Sequence, residues 1–268
     1  MAGLVRKVLM TEDGPLAYTE AGPEGAEVLL LVHGGFGAAN HWLRNQPALA
    51  GRYRTLAPDL PGFGESYLPP EPHTPASVTR GILRLLDGLG VGGCLCAAFS
   101  FGATMTAALC QEDAGRLRRV VLLGPGGLGL KGDAPLGRER RARRGMTPGE
   151  KREVFIHNQK AIMFKNPACV DEEYLSLAEW NLARSRMNIY AMNRETYLPD
   201  LLPAMAMPLL LLWGEADVVL YPTREERQRA CREAAPHAEL DIIPEAGHMA
   251  QWEQPGRFNE RVLRFLAG

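Results

Sequence analysis

The sequence predicts an α/β fold: a mostly parallel sheet with helices on both faces. Three observations predict it. Four short runs, within "EVLLLVHGG", "GCLCAAFS", "LRRVVLLGP" and "MPLLLLWGEAD", are almost continuously apolar, as strands buried on both faces are. Segments with apolar residues at helical spacing lie between them. The chain has 268 residues, of which 46% are hydrophobic and 23% charged, enough for one α/β domain carrying an insertion.

The elements follow in order. "VRKVLM" and "LAYTEAG" flank Asp13-Gly14, a hairpin signal that predicts an antiparallel edge to the sheet. "EVLLLVHGG" is the third strand, and "YRTLAPDLPG" is a fourth that ends in a Pro/Gly loop. Thr74-Pro75 offers an N-cap and a proline at the first helical position. Val78, Ile82, Leu85 and Leu89 then recur at helical spacing, and Gly90 closes the helix. "GCLCAAFS" is a strand, "FGATMTAALCQEDA" a helix and "LRRVVLLGP" a strand. Near the end, "MPLLLLWGEAD" and "AELDIIPEAG" are strands around the helix "TREERQRACREAA". The chain closes on a helix that places Phe258, Val262, Phe265 and Leu266 on one face.

Between "VVLLGP" and "MPLLLLWG", residues 126–204 carry no strand signal. The stretch begins Gly-rich, turns basic ("RERRARRG") and then reads as helical, with Thr147-Pro148 and Glu150 forming a capping box. It is expected to be a helical cap inserted after the sixth strand, with residues 1–125 and 205–268 forming the core. Its arginines from Arg138 to Arg144 are expected to be a solvated surface. Met163, Met187, Met192, Met205 and Met207 fall in or just after it, as cap packing or as a pliable apolar wall.

Charge and cysteine use narrow the function classes. A formal net charge of -1 argues against nucleic acid or an anionic membrane as partner. No run of 18 apolar residues is present, so no membrane span is expected. The N-terminal segment lacks the apolar stretch and cleavage site of a signal peptide, so a cytoplasmic location is expected. Five cysteines without paired zinc-ligand spacing are expected to be reduced core thiols. Neither a metal nor a cofactor is expected.

Against this background Ser100 stands out. It sits at the junction of a buried strand and a buried helix, with small residues two before and two after it, Ala98 and Gly102. A serine hydroxyl needs a base within reach and a third group to orient that base. His248 follows the last strand, where parallel sheets gather their working groups. Asp217 ends the preceding strand region and is the expected orienter, with Glu215 as runner-up.

The motifs "HGGFG", "DLPGFGES", "AFSFG" and "GEAD" followed by "GH" resemble those of the α/β-hydrolase superfamily over nearly the whole chain. The order Ser100, Asp217, His248 is that family's order. The resemblance implies oxyanion donors at the backbone N–H of Phe101 and Gly35, with Phe36 as fallback for the second. It implies a structural role for His33. The ending "GHMAQWEQPGRFNERVLRFL" is similar to that of meta-cleavage-product hydrolases, which split carbon–carbon bonds in vinylogous diketones. Those enzymes usually carry Asn before and Met after the nucleophile, where this chain has Phe99 and Phe101. They use an arginine next to a tryptophan to hold a substrate carboxylate. Here Glu179 precedes Trp180, with Arg184 or Arg186 able to substitute.

The expected function is therefore hydrolysis of a small, largely apolar carbonyl substrate, with a carboxylic ester favoured and carbon–carbon cleavage the alternative. A cofactor-free perhydrolase or oxygenase and a non-catalytic ligand-binding protein are the remaining classes. The expected pocket comprises Phe36, Phe99, Phe101, Trp180, Arg184 and Met249, with His41 and Asn40 either lining it or exposed. Trp42, Trp180 and Trp252 are otherwise packing residues. The sequence leaves the oligomeric state open, a homo-oligomer included.

Overall fold

In the computed structural model, which describes residues 3–128, 139–189, 192, 197–219 and 223–268, eight strands form one sheet. They are β1 (Val5–Thr11), β2 (Gly14–Ala21), β3 (Val28–Val32), β4 (Arg54–Pro58), β5 (Cys94–Phe99), β6 (Leu117–Leu123), β7 (Leu209–Gly214) and β8 (Glu239–Ile243). Their spatial order is β1-β2-β4-β3-β5-β6-β7-β8. β1 and β2 form the antiparallel edge expected from the hairpin signal, β2 pairs antiparallel with β4, and the remaining pairs are parallel.

The apolar runs are buried on both faces because each strand feeds two cores. Leu30, Val32, Cys96, Ala98, Val120 and Leu122 pack on one side with Val78, Ile82 and Leu85 of the Pro75–Gly88 helix. The alternate residues Leu29, Leu31, Ala97, Phe99, Val121 and Leu123 pack on the other with Trp42, Phe258 and Val262. This is the period-two alternation of a strand, with both sides apolar. The cysteines are free thiols, and Cys94, Cys96, Cys110 and Cys231 are buried in the first of these cores.

The expected helix starts hold. Thr74 and Ser77 form a capping box at the Pro75–Gly88 helix, and Thr147 with Glu150 forms another at the Pro148–Asn158 helix. Between β6 and β7 the described residues contain helices and turns and no strand: after Pro148–Asn158 come a π-helical turn at Gln159–Met163 and the Glu172–Ala183 helix. Arg140, Arg141, Arg143 and Arg144 are exposed, whereas Arg138 lies outside the described residues. Among the described residues no helix is long and apolar enough to cross a membrane.

Two glycines show how tightly the sheet ends meet their loops. A Cβ on Gly102, in the first turn after Ser100, would stand 2.2 Å from the His33 carbonyl oxygen and 2.8 Å from that of Val32. A Cβ on Gly214, the last residue of β7, would stand 1.9 Å from the Gly247 carbonyl oxygen. The obstacles are backbone atoms and cannot swing away, so a methyl must spread the elements apart. Gly102→Ala is expected to cost about 1–3 kcal/mol, the usual range for overpacking a dense core, read as a fall in Tm of several degrees. An unchanged Tm would refute the close-packing argument.

Candidate active site

Ser100 is the residue between β5 and the Phe101–Glu112 helix, and its backbone has φ 52° and ψ -116°. A non-glycine residue at positive φ costs of order 1–3 kcal/mol and persists where its surroundings fix it. The surroundings here are specific. The Ser100 N–H donates to the Leu123 carbonyl at the end of β6 (2.9 Å), and the Ser100 carbonyl accepts from Gly126 N–H (3.2 Å). The turn lifts the side chain off the sheet end and leaves the first N–H groups of the helix, at Phe101 and Gly102, without an acceptor in their own helix.

His248 stands in the loop after β8, with its Nε2 3.0 Å from Ser100 Oγ. Its Nδ1 is 2.9 Å from Asp217 Oδ2. Both His248 and Asp217 are buried. The separations suit a line of hydrogen bonds: Ser100 Oγ–H donates to Nε2, and Nδ1–H donates to the carboxylate. Glu215, the runner-up, faces away. Its carboxylate pairs with Lys165 Nζ (2.8 Å) and accepts from Glu245 N–H (3.1 Å).

Asp217 is held charged. Burial acts to raise its pKa, but the adjacent His248, the Arg227 guanidinium and the Val219 N–H outweigh burial and bring it down to about 2. Arg227 is fully buried; one of its nitrogens lies 3.6 Å from Asp217 Oδ1 and another donates to the Asp217 carbonyl (2.9 Å). Arg227 escaped the sequence reading because "TREERQRACREAA" looks like an ordinary charged surface helix.

The "HGGFG" loop reaches the same place from the end of β3. His33 braces it: one ring nitrogen bonds the Gly34 carbonyl (2.7 Å) and the other accepts from Leu60 N–H (2.9 Å). Burial lowers the His33 pKa to about 4, so the ring is neutral. The buried Asp59 carboxylate of "DLPGFGES" accepts from Ala39 N–H and Glu65 N–H, both at 2.9 Å, and pairs with Arg6. The two motifs thus lock each other. Phe36 has φ 54°, a conformation that bends the loop sharply next to Gly35. A Cβ on Gly34 would lie 3.2 Å from Ser100 Cβ, so the loop runs directly against the serine.

These groups open onto a cavity of about 460 Å³. Gly35, Phe36, Phe99, Ser100, Phe101, His248 and Met249 line its floor, and Phe155, Ile162, Met163, Tyr174 and Leu177 of the inserted segment line its wall. His41 and Asn40 line it too. Burial, with His33 and His248 nearby, lowers the His41 pKa to about 3. Of the five methionines noted in the sequence, Met163 is on the wall, while Met187, Met192 and Met205 are buried in the core.

Two expected pocket residues are elsewhere. Trp180 and Arg184 do not line the cavity; the Arg184 guanidinium lies over the Trp180 ring (4.3 Å), and Arg184 is exposed. The helical period explains it. Tyr174, Leu177, Ala178 and Asn181 form the inward stripe of the Glu172–Ala183 helix, and Trp180 falls beside that stripe. Glu179 also points outward and pairs with Arg152 (2.6 Å). Arg186 donates to the Ser66 carbonyl. Among the described residues that line the cavity there is no lysine or arginine.

Asn40 is where the sequence allowed it to be, but its partner Asn181, and Tyr174 and Gln159, carried no signal. Asn40 and Asn181 exchange two amide hydrogen bonds (2.9 and 2.8 Å), joining the β3 loop to the inserted helix. Tyr174 donates its hydroxyl proton to Gln159 Oε1 (2.5 Å). Lone amides in two distant segments give no local signal. Trp252, expected as packing, lines the cavity as well. Among the described residues no group of three or more His, Cys, Asp or Glu is placed to hold a metal ion.

Known proteins similar to this chain include hydrolases and a related acetyltransferase component. A family model described as "Alpha/beta hydrolase family" matches residues 29–261. The chain is 30% identical, over 94% of its length, to the dihydrolipoyllysine-residue acetyltransferase component of the acetoin cleaving system of Pseudomonas putida, and spans 66% of that protein. It is 26% identical to a 2-hydroxy-6-oxononadienedioate/2-hydroxy-6-oxononatrienedioate hydrolase of Pseudomonas sp, covering 99% of this chain and 98% of that one. It is also 26% identical to the uncharacterized carboxylesterase nap of Bacillus subtilis (strain 168), covering 96% and 85%.

The buried ionisable groups set an acid limb of stability. His33 and His41 have folded pKa values near 4 and 3, below the ordinary 6.5. Their neutral forms contribute stability that is full above about pH 6.5 and is lost as pH falls towards 4 and 3. Asp217, held at about 2 against an ordinary 3.8, adds a loss below about pH 4. Urea unfolding from pH 7 to 4 is expected to show a progressive fall that flattens in His41→Gln; an identical slope in that variant would count against the buried neutral ring.

Proposed function

The chain belongs to the alpha/beta hydrolase family, and on that premise we propose that it is a serine hydrolase whose catalytic triad is Ser100, His248 and Asp217 and whose substrate is a neutral, largely apolar carboxylic ester. The observation that carries this reading is the continuous line from Ser100 Oγ through His248 to the buried Asp217 carboxylate, opening onto an apolar cavity.

In this reading Ser100 Oγ attacks the ester carbonyl while His248 Nε2 takes its proton. The imidazolium that forms is stabilised by Asp217, which also fixes the tautomer. The developing oxyanion is held by the N–H groups of Phe101 and Gly35, with Phe36 the alternative to Gly35. Collapse expels the alcohol, protonated by His248, and leaves an acyl-Ser100. Water, deprotonated by His248, then releases the carboxylic acid. No step calls on a cofactor. Residues 126–204 act as a cap over a core made of residues 1–125 and 205–268, and the cap supplies the cavity wall.

Electrostatics favour a neutral substrate. A carboxylate buried in a low-dielectric cavity needs a paired cation, and the described lining has none. Glu179 does not enter this choice, because its side chain pairs with Arg152 outside the cavity. The second reading, carbon–carbon cleavage of a vinylogous diketone acid, is favoured by the similarity to the dienedioate hydrolase along the full length of both chains.

A fluorophosphonate probe is expected to label wild type and not Ser100→Ala. Ser100→Ala and His248→Ala should each lower kcat for a short aryl ester by on the order of 10⁴-fold or more, and Asp217→Asn by roughly 10²-fold or more. Labelling that survives Ser100→Ala would sink the triad assignment. Assayed side by side, the aryl ester should turn over faster than a vinylogous 1,5-diketone acid; the opposite ranking would move the assignment to carbon–carbon cleavage.

A further inference from the structure

His248 is held from both sides by backbone contacts that reach the inserted segment. On one side Gly247 N–H donates to Glu253 Oε2 (2.7 Å). On the other, Met249 N–H donates to the Met163 carbonyl (3.0 Å). The same Glu253 carboxylate accepts from Lys165 N–H (3.1 Å, at Oε2) and from Asn166 N–H (2.6 Å, at Oε1). One side chain therefore gathers three backbone donors, one from the His248 loop and two from the inserted segment. Gly247 shows how close the two strips of chain run. A Cβ there would lie 2.8 Å from Lys165 N and 2.8 Å from Phe164 Cα.

We propose that Glu253 is a positioning residue for His248, and that its carboxylate fixes the proton-transfer histidine and the Ile162–Met163 part of the cavity wall as one unit. This rests on the reading of His248 as the catalytic base. A carboxylate suits the task because both oxygens accept only, and hydrogen bonds from N–H groups to a charged acceptor are roughly twice as strong as neutral ones. Glutamine would keep one accepting oxygen and turn two N–H donors towards backbone donors. The nearby Lys165 side chain does not explain the arrangement: its ammonium pairs with Glu215 and Glu245 on the surface, where ion pairs contribute little.

Displacing a catalytic group by about 1 Å costs on the order of 10²-fold in rate. Glu253→Gln is therefore expected to lower kcat for a short aryl ester by about 10- to 100-fold, to change KM by less than about threefold, and to slow fluorophosphonate labelling of Ser100 by a similar factor. Gly247→Ala should give the same signature by pushing the two strips apart. Lys165→Met should keep kcat within about twofold. Circular dichroism and thermal melting identify folded protein, and if Glu253→Gln does not fold, Gly247→Ala is judged by the same criteria. A merely structural role would lower Tm and leave kcat and labelling unchanged at 25 °C. That result in a folded variant, or a kcat loss matched by Lys165→Met, overturns the proposal. Ser100→Ala run alongside separates this outcome from failure of the underlying reading, since activity or labelling in that variant would remove the triad itself.

Discussion

The architecture around the candidate site depends on one constraint: the backbone at Ser100 must turn at positive φ while its neighbours pass within van der Waals contact. Gly102 is pressed on the β3 carbonyls, Gly34 on the serine itself, and Gly124, at φ 49°, on His248 and Asp217. A Cβ at Gly124 would sit 3.0 Å from the His248 ring and 3.1 Å from Asp217 Oδ2. Small residues surround the turn because backbone atoms and the His248 and Asp217 side chains occupy the volume that larger side chains would need. The strain at Ser100 is supported by the parallel sheet, since β3, β5, β6 and β7 end side by side and their loops converge.

Burial does the electrical work. Asp217 stays ionised in the interior because His248, Arg227 and a backbone N–H face it together, and Arg227 in turn is tolerated there because it faces Asp217. His33 and His41 are pushed the other way, to the neutral form, because no carboxylate contacts either ring closely enough to offset the loss of water. Three histidines within one neighbourhood thus have different surroundings. His248 has a carboxylate partner; the other two have backbone partners at Gly34 and Leu60.

The inserted segment is fastened to the sheet ends by polar contacts. The Asn40–Asn181 amide pair, the Glu253 carboxylate and the Met249-to-Met163 backbone bond all cross from core to insertion. Between these fastenings the wall is mainly apolar and partly aromatic, with Glu139, Asn158 and Gln159 as polar members. Directional bonds fix where the wall sits, and the apolar side chains between them fill the space without setting its position.

The sequence by itself determined the strands, the helices and the family, because each rests on local chemistry. Continuous apolar runs mark strands covered on both sides, capping residues mark helix starts, and the glycines of "HGGFG" and "AFSFG" mark places where segments of chain run close together. It also brought forward Ser100, Asp217 and His248, since each ends or follows a strand of a parallel sheet. The tertiary structure alone decided the rest. Glu215 and Asp217 are two residues apart, and only the loop's path turns one to Lys165 and the other to His248. Trp180 and Arg184 share a helix with Leu177 and Asn181, and only the docking of that helix decides which stripe meets the cavity. Arg227, Glu253 and the two asparagines meet their partners across long stretches of chain. Contacts of that kind leave no periodicity and no spacing to read, because they arise from how distant segments pack.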